Sequence, residues 1–304
     1  MNALLYLGTV LIWGTTWYAI TFQLGVVAPE VSVALRFLLA AVALFGWLLL
    51  RRQSLRLPPG GHPWVLLFGV LQFGVNFILL YRSETVLTSG VVSVVFSTIT
   101  VMNIANAALI FGRRVDGQVA LGAALGLAGI VTTFWRDLAG FDIAQAGSLG
   151  LVLALAGTLA ASLGNMVSTR NQRAAIPVML ANAYGMLYAA VLVGLYAWAT
   201  GASFAFVPTV PYVAALVYLA LVGSIGGFGC YLTLLGRIGP ERAAYSAILF
   251  PVVALALSTL LEGYVWTAEA VAGAGLILLG NLAVLAPRGL LRFGRPAPAR
   301  PAAP

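Results

Sequence analysis

Ten apolar stretches follow one another along this chain with only short gaps between them, near 3–22, 31–50, 63–81, 87–111, 117–135, 147–169, 178–199, 211–235, 243–261 and 267–286. About 20 apolar residues in a helix suffice to cross the hydrocarbon core of a bilayer. A backbone in hydrocarbon must satisfy its own hydrogen bonds, so a helix is the form each stretch can take. Only 8% of residues are charged and 62% are hydrophobic, whereas a soluble domain carries roughly 25% charged residues. The chain is therefore expected to be an all-α integral membrane protein with ten transmembrane helices, the lipid bilayer being its first partner.

Arginine alternates between the gaps. With the N-terminus inside, the inner gaps hold Arg51, Arg52, Arg56, Arg113, Arg114, Arg170, Arg173, Arg237, Arg242, Arg288, Arg292, Arg295 and Arg300, and the outer gaps hold only Arg82 and Arg136. Cytoplasmic loops collect positive charge, so this distribution predicts an even number of crossings with both termini cytoplasmic, in a bacterial-type inner (plasma) membrane. Six of the eight acids, Glu30, Glu84, Asp137, Asp142, Glu262 and Glu269, fall in or beside the outer gaps. A net charge of +8 does not point to nucleic acid, because the arginines are spread over short loops without an aromatic or basic binding module. Contact with anionic headgroups accounts for it. The lone Cys230 rules out an intramolecular disulfide framework and supplies no metal motif. Residues 1–22 lack a cationic leader region and a cleavage site, so they are read as a retained helix. No cofactor is called for.

Weak echoes link the two halves. Gly122 and Gly129 lie seven residues apart in "LGAALGLAGIV", as do Gly273 and Gly280 in "AGAGLILLGNL", and the same offset sets Thr100 over Pro251. Helix 1 opens "LGTVLI" and helix 6 opens "LGLVLA". Five crossings per half is odd, so the second half runs upside down: an inverted-topology repeat, as in secondary transporters that bind cargo near the midplane. The expected division is a first five-helix repeat over 1–140, a second, inverted repeat over 141–287, and a disordered cytoplasmic tail over 288–304.

Cargo contacts are sought among polar stripes, since a polar side chain in hydrocarbon needs a partner or a watery cavity. Ser93, Ser97, Thr100 and Asn103 share one face of helix 4, and Thr158, Ser162, Asn165 and Thr169 one face of helix 6. Helix 3 adds Gln72 and Asn76, with Tyr81 at its outer end. Interhelical hydrogen bonding is the competing use of such residues. Aromatic candidates are Trp13 and Trp17 on helix 1, with Thr16 beside them, Tyr184 and Tyr188 on helix 7, Tyr231 on helix 8, and Tyr245 and Phe250 on helix 9. Trp47, Trp64, Trp135, Trp198 and Trp266 sit at helix ends, where an interfacial belt explains them. Rings, amides and hydroxyls together suit a zwitterion with an apolar side chain.

Arg36 is the sole arginine well within a helix; pairing with Glu30, Glu84 or Glu262 in a structural or gating role is preferred to a contact with a cargo carboxylate. Gly14, Gly227 and Pro251 are hinge candidates because each weakens regular helix geometry. For Gly122, Gly126 and Gly129 close packing is preferred, as a dimer or inter-repeat seam. Every acid lies at or near a predicted helix end and His62 in a loop, which favours a facilitator or uniporter; Glu84 and Glu262 are the candidate proton sites of a coupled alternative. No nucleophile with base, metal cluster or carboxylate pair lies inside the helices, so an enzyme ranks low. Neither a charged ring nor a carbonyl filter supports a channel.

The segments "IWGTTWYAI", "ALRFLLAA", "YRSETVLTSGVVSVVFST" and "ERAAYSAILFPVVALALSTLLEG", in this order and spacing, resemble the drug/metabolite transporter (DMT) superfamily, specifically its EamA-type ten-helix members. The resemblance covers the chain from helix 1 to helix 10. Two positions depart: Thr100 stands where the family usually has proline, and Arg113 where a Gly-Glu pair commonly ends helix 4. Such members export amino acids, other metabolites or toxic compounds, and some import. The resemblance implies an alternating-access exporter of small organic metabolites, amino acids including aromatic ones foremost, working as a monomer or homodimer.

Overall fold

The computed structural model describes residues 2–112, 117–133, 146–204, 206–238 and 246–285. Among them are ten helices and no strand: α1 Asn2–Thr21, α2 Pro29–Leu50, α3 Gly61–Glu84, α4 Ser89–Phe111, α5 Gly117–Thr133, α6 Ala146–Arg173, α7 Val178–Ala199, α8 Val210–Arg237, α9 Ser246–Leu261 and α10 Ala268–Leu285. Seven are long and apolar enough by themselves to cross a membrane. The apolar stretches of α5, α9 and α10 are shorter, Ala120–Thr133, Leu249–Leu261 and Ala268–Ala283. Leu50, Leu109, Trp198 and Leu260 are strongly exposed, the outward apolar surface that lipid requires.

Packing follows the two-repeat logic. Helix α5 lies along α10 and α2 along α7; α1 packs on α8 and α9, just as α6 packs on α3 and α4. Exchanging each helix for the one five positions along maps these pairs onto one another, which is the inverted repeat expressed as contacts. The α5–α10 seam is closest where glycines meet. A Cβ added at Gly129 would stand 2.6 Å from the Gly273 carbonyl oxygen, and one at Gly273 would stand 2.6 Å from that of Gly129. Gly280 meets the Gly122 carbonyl oxygen equally closely, at 2.6 Å. The packing role expected of these glycines is thus an inter-repeat seam, with small residues letting two backbones touch.

Three irregularities shape the interior. Helix α3 widens into a π-helical segment over Val70–Val75, and its counterpart α8 does so over Tyr218–Gly227. Helix α4 is broken at Ser97 and Thr98, between Ser89–Phe96 and Ile99–Phe111. No proline is needed there: the hydroxyls of Ser93, Ser97 and Thr98 donate to the carbonyls of Gly90, Val94 and Val95 at 2.6, 2.6 and 2.7 Å. Hydroxyls that bond back to the preceding turn bend helices. Pro251 lies inside α9, so the counterpart helices are weakened by different chemistry. Gly14 does not interrupt α1; it lies against Val253 of α9, where a Cβ would approach within 2.6 Å.

Gly129→Ala is expected to cost about 1–3 kcal/mol, because the added methyl must push two backbones apart. Gly126→Ala is expected to be neutral, since its Cβ would meet nothing within 4 Å. Thermal melting of the two purified variants separates these outcomes; equal melting temperatures would remove the seam's claim to hold the repeats together.

Candidate functional site

The central cavity has a volume of about 50 Å³, room for several waters. It lies where both repeats meet. Helix α1 supplies Trp13, Thr16, Trp17 and Ile20; α2 supplies Arg36; α3 supplies Gln72, Asn76, Phe77 and Leu80. Phe96 and Ile99 flank the break in α4. The second repeat contributes Asn165 from α6, Phe228 and Tyr231 from α8, and Ser246 and Phe250 from α9.

The rings form a continuous wall. Trp13 lies 4.9 Å from Tyr231 and 5.0 Å from Phe228, while Trp17 lies 5.3 Å from Phe96 and stacks on Phe250 at 6.2 Å. The π segment of α8 makes the place for Trp13. A Cβ at Gly227 would fall 2.3 Å from the indole Nε1, which instead reaches the Gly223 carbonyl at 3.4 Å. Gly227 is required there by this close approach.

Polar atoms on the same wall are underused. Asn76 donates to the Gln72 carbonyl at 3.1 Å and Asn165 to the Asn103 side-chain oxygen at 3.3 Å. The side-chain oxygens of Gln72, Asn76 and Asn165 and the indole N–H of Trp17 are buried without a hydrogen-bond partner. A buried polar group left unmatched costs free energy, and these four sit on residues that line a space where a ligand can supply the match. Arg36, 2% exposed, donates to Ser224 at 3.0 Å and Tyr81 at 3.3 Å, with its guanidinium 4.6 Å from the Phe77 ring centre.

Several sequence-selected residues lie elsewhere. Tyr81 is buried behind Arg36 and donates to Gln23 at 2.8 Å. Ser97, Thr100, Asn103 and Ser162 do not line the cavity. Ser97 and Ser162 accept from Asn281 and Asn106 at 3.2 and 2.8 Å, and Asn103 holds Asn165. Of these stripes, Ser97, Asn103 and Ser162 bond across helices, Ser93, Thr158 and Thr169 bond back to their own helix, and the Thr100 hydroxyl is buried without a partner. Tyr184 stands toward the His62 end, donating to the Leu55 carbonyl at 3.0 Å beside the His62–Tyr188 hydrogen bond. Tyr245 lies outside the described residues. Phe77, Phe96, Ile99 and Phe228 also line the cavity and were not among the sequence candidates.

Toward the opposite end two carboxylates tie helices together. Glu262 accepts from the Ser89 backbone N–H at 3.3 Å and from its hydroxyl, latching α9 to α4. Glu30 pairs with Arg82, whose Nε donates at 2.6 Å. These bonds correct the expectation that Glu30 or Glu262 serves Arg36. Both carboxylate oxygens of buried Glu84 are without a hydrogen-bond partner. Among the described residues no group of three His, Cys, Asp or Glu side chains is placed to hold a metal.

The EamA-like transporter family matches residues 1–135 and again 148–286. The chain belongs to that family. This EamA-like transporter is 30% identical over 258 residues to an Escherichia coli K12 protein named as the uncharacterized inner membrane transporter YedA, covering 83% of this chain and 80% of that protein. It is 26% identical over 305 residues to a probable amino-acid metabolite efflux pump of Salmonella typhimurium LT2, covering 92% of this chain and 93% of that one. A solved crystal structure, 21% identical, superposes with a TM-score of 0.67 over 93% of this chain and 95% of its own, a likeness of fold.

In a Cys230→Ser background carrying Phe96→Cys, Ser89→Ala is expected to raise maleimide labelling of the cavity from the Glu262 end several-fold. An unchanged labelling rate would show that the Ser89–Glu262 bond is no latch.

Proposed function

We propose that this chain is an inner-membrane carrier that exports small organic metabolites, amino acids including aromatic ones foremost, by alternating access between its two repeats. The observation that carries this reading is the cavity between the repeats, lined by six mutually packed rings and by residues that carry four buried, unmatched polar atoms. Rings take an apolar side chain and attract an ammonium; amide oxygens and an indole N–H take the polar end of the same molecule. The name of the Salmonella relative, a probable amino-acid metabolite efflux pump, supports the same cargo class. The arginine distribution supports cytoplasmic termini, and the repeats are taken as 1–140 and 141–287, with 288–304 as a cytoplasmic tail.

Facilitated transport is the mechanism we adopt, because the residues lining the cavity include no acid or histidine to carry a proton alongside the cargo. One observation favours a coupled alternative: Glu84 is buried with both oxygens unmatched, close to the latch made by Glu262. Buried carboxyls in transporters commonly move protons.

Liposomes containing the purified protein discriminate the two. Saturable uptake of labelled phenylalanine without a pH gradient is expected, with transport falling by about tenfold, equivalent to about 1.4 kcal/mol, in Trp17→Ala and Asn76→Ala proteins of normal stability. Accumulation that occurs only with an imposed gradient, and is abolished in Glu84→Gln, would overturn the facilitator. Uptake of sugars or cationic drugs in place of amino acids would overturn the cargo assignment.

A further inference from the structure

Arg36 is the one cation on the cavity wall, and its hydrogen-bond partners are all neutral. Its Nε donates to the Ser224 hydroxyl at 3.0 Å, one Nη donates to the Tyr81 hydroxyl at 3.3 Å, and the face of Phe77 lies 4.6 Å away. The acids at this end are engaged elsewhere or stand apart. Glu30 pairs with Arg82, Glu262 is bonded to Ser89, and Glu84 lies within reach of the Arg36 charge but beyond ion-pairing distance; among the described residues no carboxylate forms an ion pair with Arg36. Burying a guanidinium at membrane depth is expensive unless an anion accompanies it. The residue is nonetheless held rigidly: the π segment of α8 presents Ser224, and Gly223 leaves the space in which the outer Nη2 sits, 3.4 Å from where a Cβ would be.

We infer that Arg36 is the fixed counter-charge for a carboxylate on the cargo, with the unmatched indole N–H of Trp17 as a second donor on the same cavity wall. This rests on the transport function proposed above and narrows its cargo to molecules bearing a carboxylate. The guanidinium suits that group because its N–H donors lie in one plane, matching the two oxygens of a carboxylate. On the remaining wall the unmatched oxygens of Gln72, Asn76 and Asn165 are acceptors, so the cargo's donor group, an ammonium in the case of an amino acid, is received apart from its carboxylate. A cargo lacking the carboxylate leaves Arg36 desolvated and unpaired, which is how the site rejects plain amines. Arg36 thus selects cargo by charge, beyond its part in joining α2 to α3 and α8.

The test measures protection of the full-length purified protein against thermal unfolding, with phenylalanine, 3-phenylpropionate, phenylalaninamide and phenethylamine as probes. Phenylalanine and 3-phenylpropionate are expected to protect, and the amide and the amine to fail at about 30-fold higher concentration, the scale set by leaving a buried charge unpaired. Arg36→Gln is expected to abolish the discrimination and Arg36→Lys to retain part of it. The comparison among probes uses the native chain, so it stands even where a variant does not fold. Equal protection by phenethylamine, carboxylate binding undiminished in a folded Arg36→Gln protein, or no protection by either carboxylate would overturn the inference. Transport of phenylalanine and its amide at equal rates would defeat the Arg36 assignment and leave the amino-acid carrier standing. Arg36-dependent protection by 3-phenylpropionate with no protection by phenylalanine would do the reverse.

Discussion

Hydrocarbon supplies no hydrogen bonds, and each polar group in this protein is placed under that constraint. The backbone answers it by coiling into helices, whose ladders are complete within each segment. Side chains answer it locally: the hydroxyls of Ser93, Ser97 and Thr98 turn back onto their own helix, and Asn106 meets Ser162 across two helices. Some buried atoms stay unmatched, among them both oxygens of Glu84, the Asn182 amide and the Thr100 hydroxyl, away from the cavity lining. Trp17 Nε1 and the oxygens of Gln72, Asn76 and Asn165 are buried without partners on residues that share one cavity, while Arg36 is held there by neutral groups alone.

The same constraint explains how the two repeats are joined. Apolar side chains gain little by leaving lipid for another apolar surface, so close contact must come from backbone approach and packing. Gly129 and Gly273 bring α5 and α10 together reciprocally, with Gly122 and Gly280 repeating the contact. Elsewhere the two halves use one plan with different residues. The π segments of α3 and α8 occupy counterpart helices, one carrying Gln72 and ending beside Asn76, the other carrying Gly223 and Gly227 to receive Arg36 and Trp13. A π segment adds a residue to the turn and re-aims the side chains around it, which is how two sequence-divergent halves shape one asymmetric site.

Part of the site was legible beforehand because membrane depth penalises particular residue types. Trp13, Trp17, Gln72, Asn76, Asn165, Tyr231 and Phe250 stood out as rings or amides within apolar stretches, and all of them line the cavity. Ser97, Asn103 and Ser162 carried the same signal and bond to other helices, and Thr100, with the same signal, does not line the cavity. Periodicity locates a face of a helix; the rotation of that face toward cavity or neighbour depends on the partner helix, here the pairing of α4 with α6. Phe77, Phe96, Ile99 and Phe228 gave no polar signal, being ordinary apolar residues in apolar segments.

The sequence by itself determined that the chain lies in a membrane, crosses it ten times and consists of two inverted halves, because length, hydropathy and the spacing of arginines and glycines are properties read along one dimension. Tertiary structure decided what that string does not contain. It broke α4 at Ser97 and Thr98 although the helix contains no proline, because hydroxyl-to-carbonyl bonds bend a helix as well as a missing N–H does. It gave Glu30 to Arg82 and Glu262 to Ser89, leaving Arg36 without an ion-pair partner among the described residues. Which charges meet depends on distances of a few ångströms between helices, and those are settled by packing.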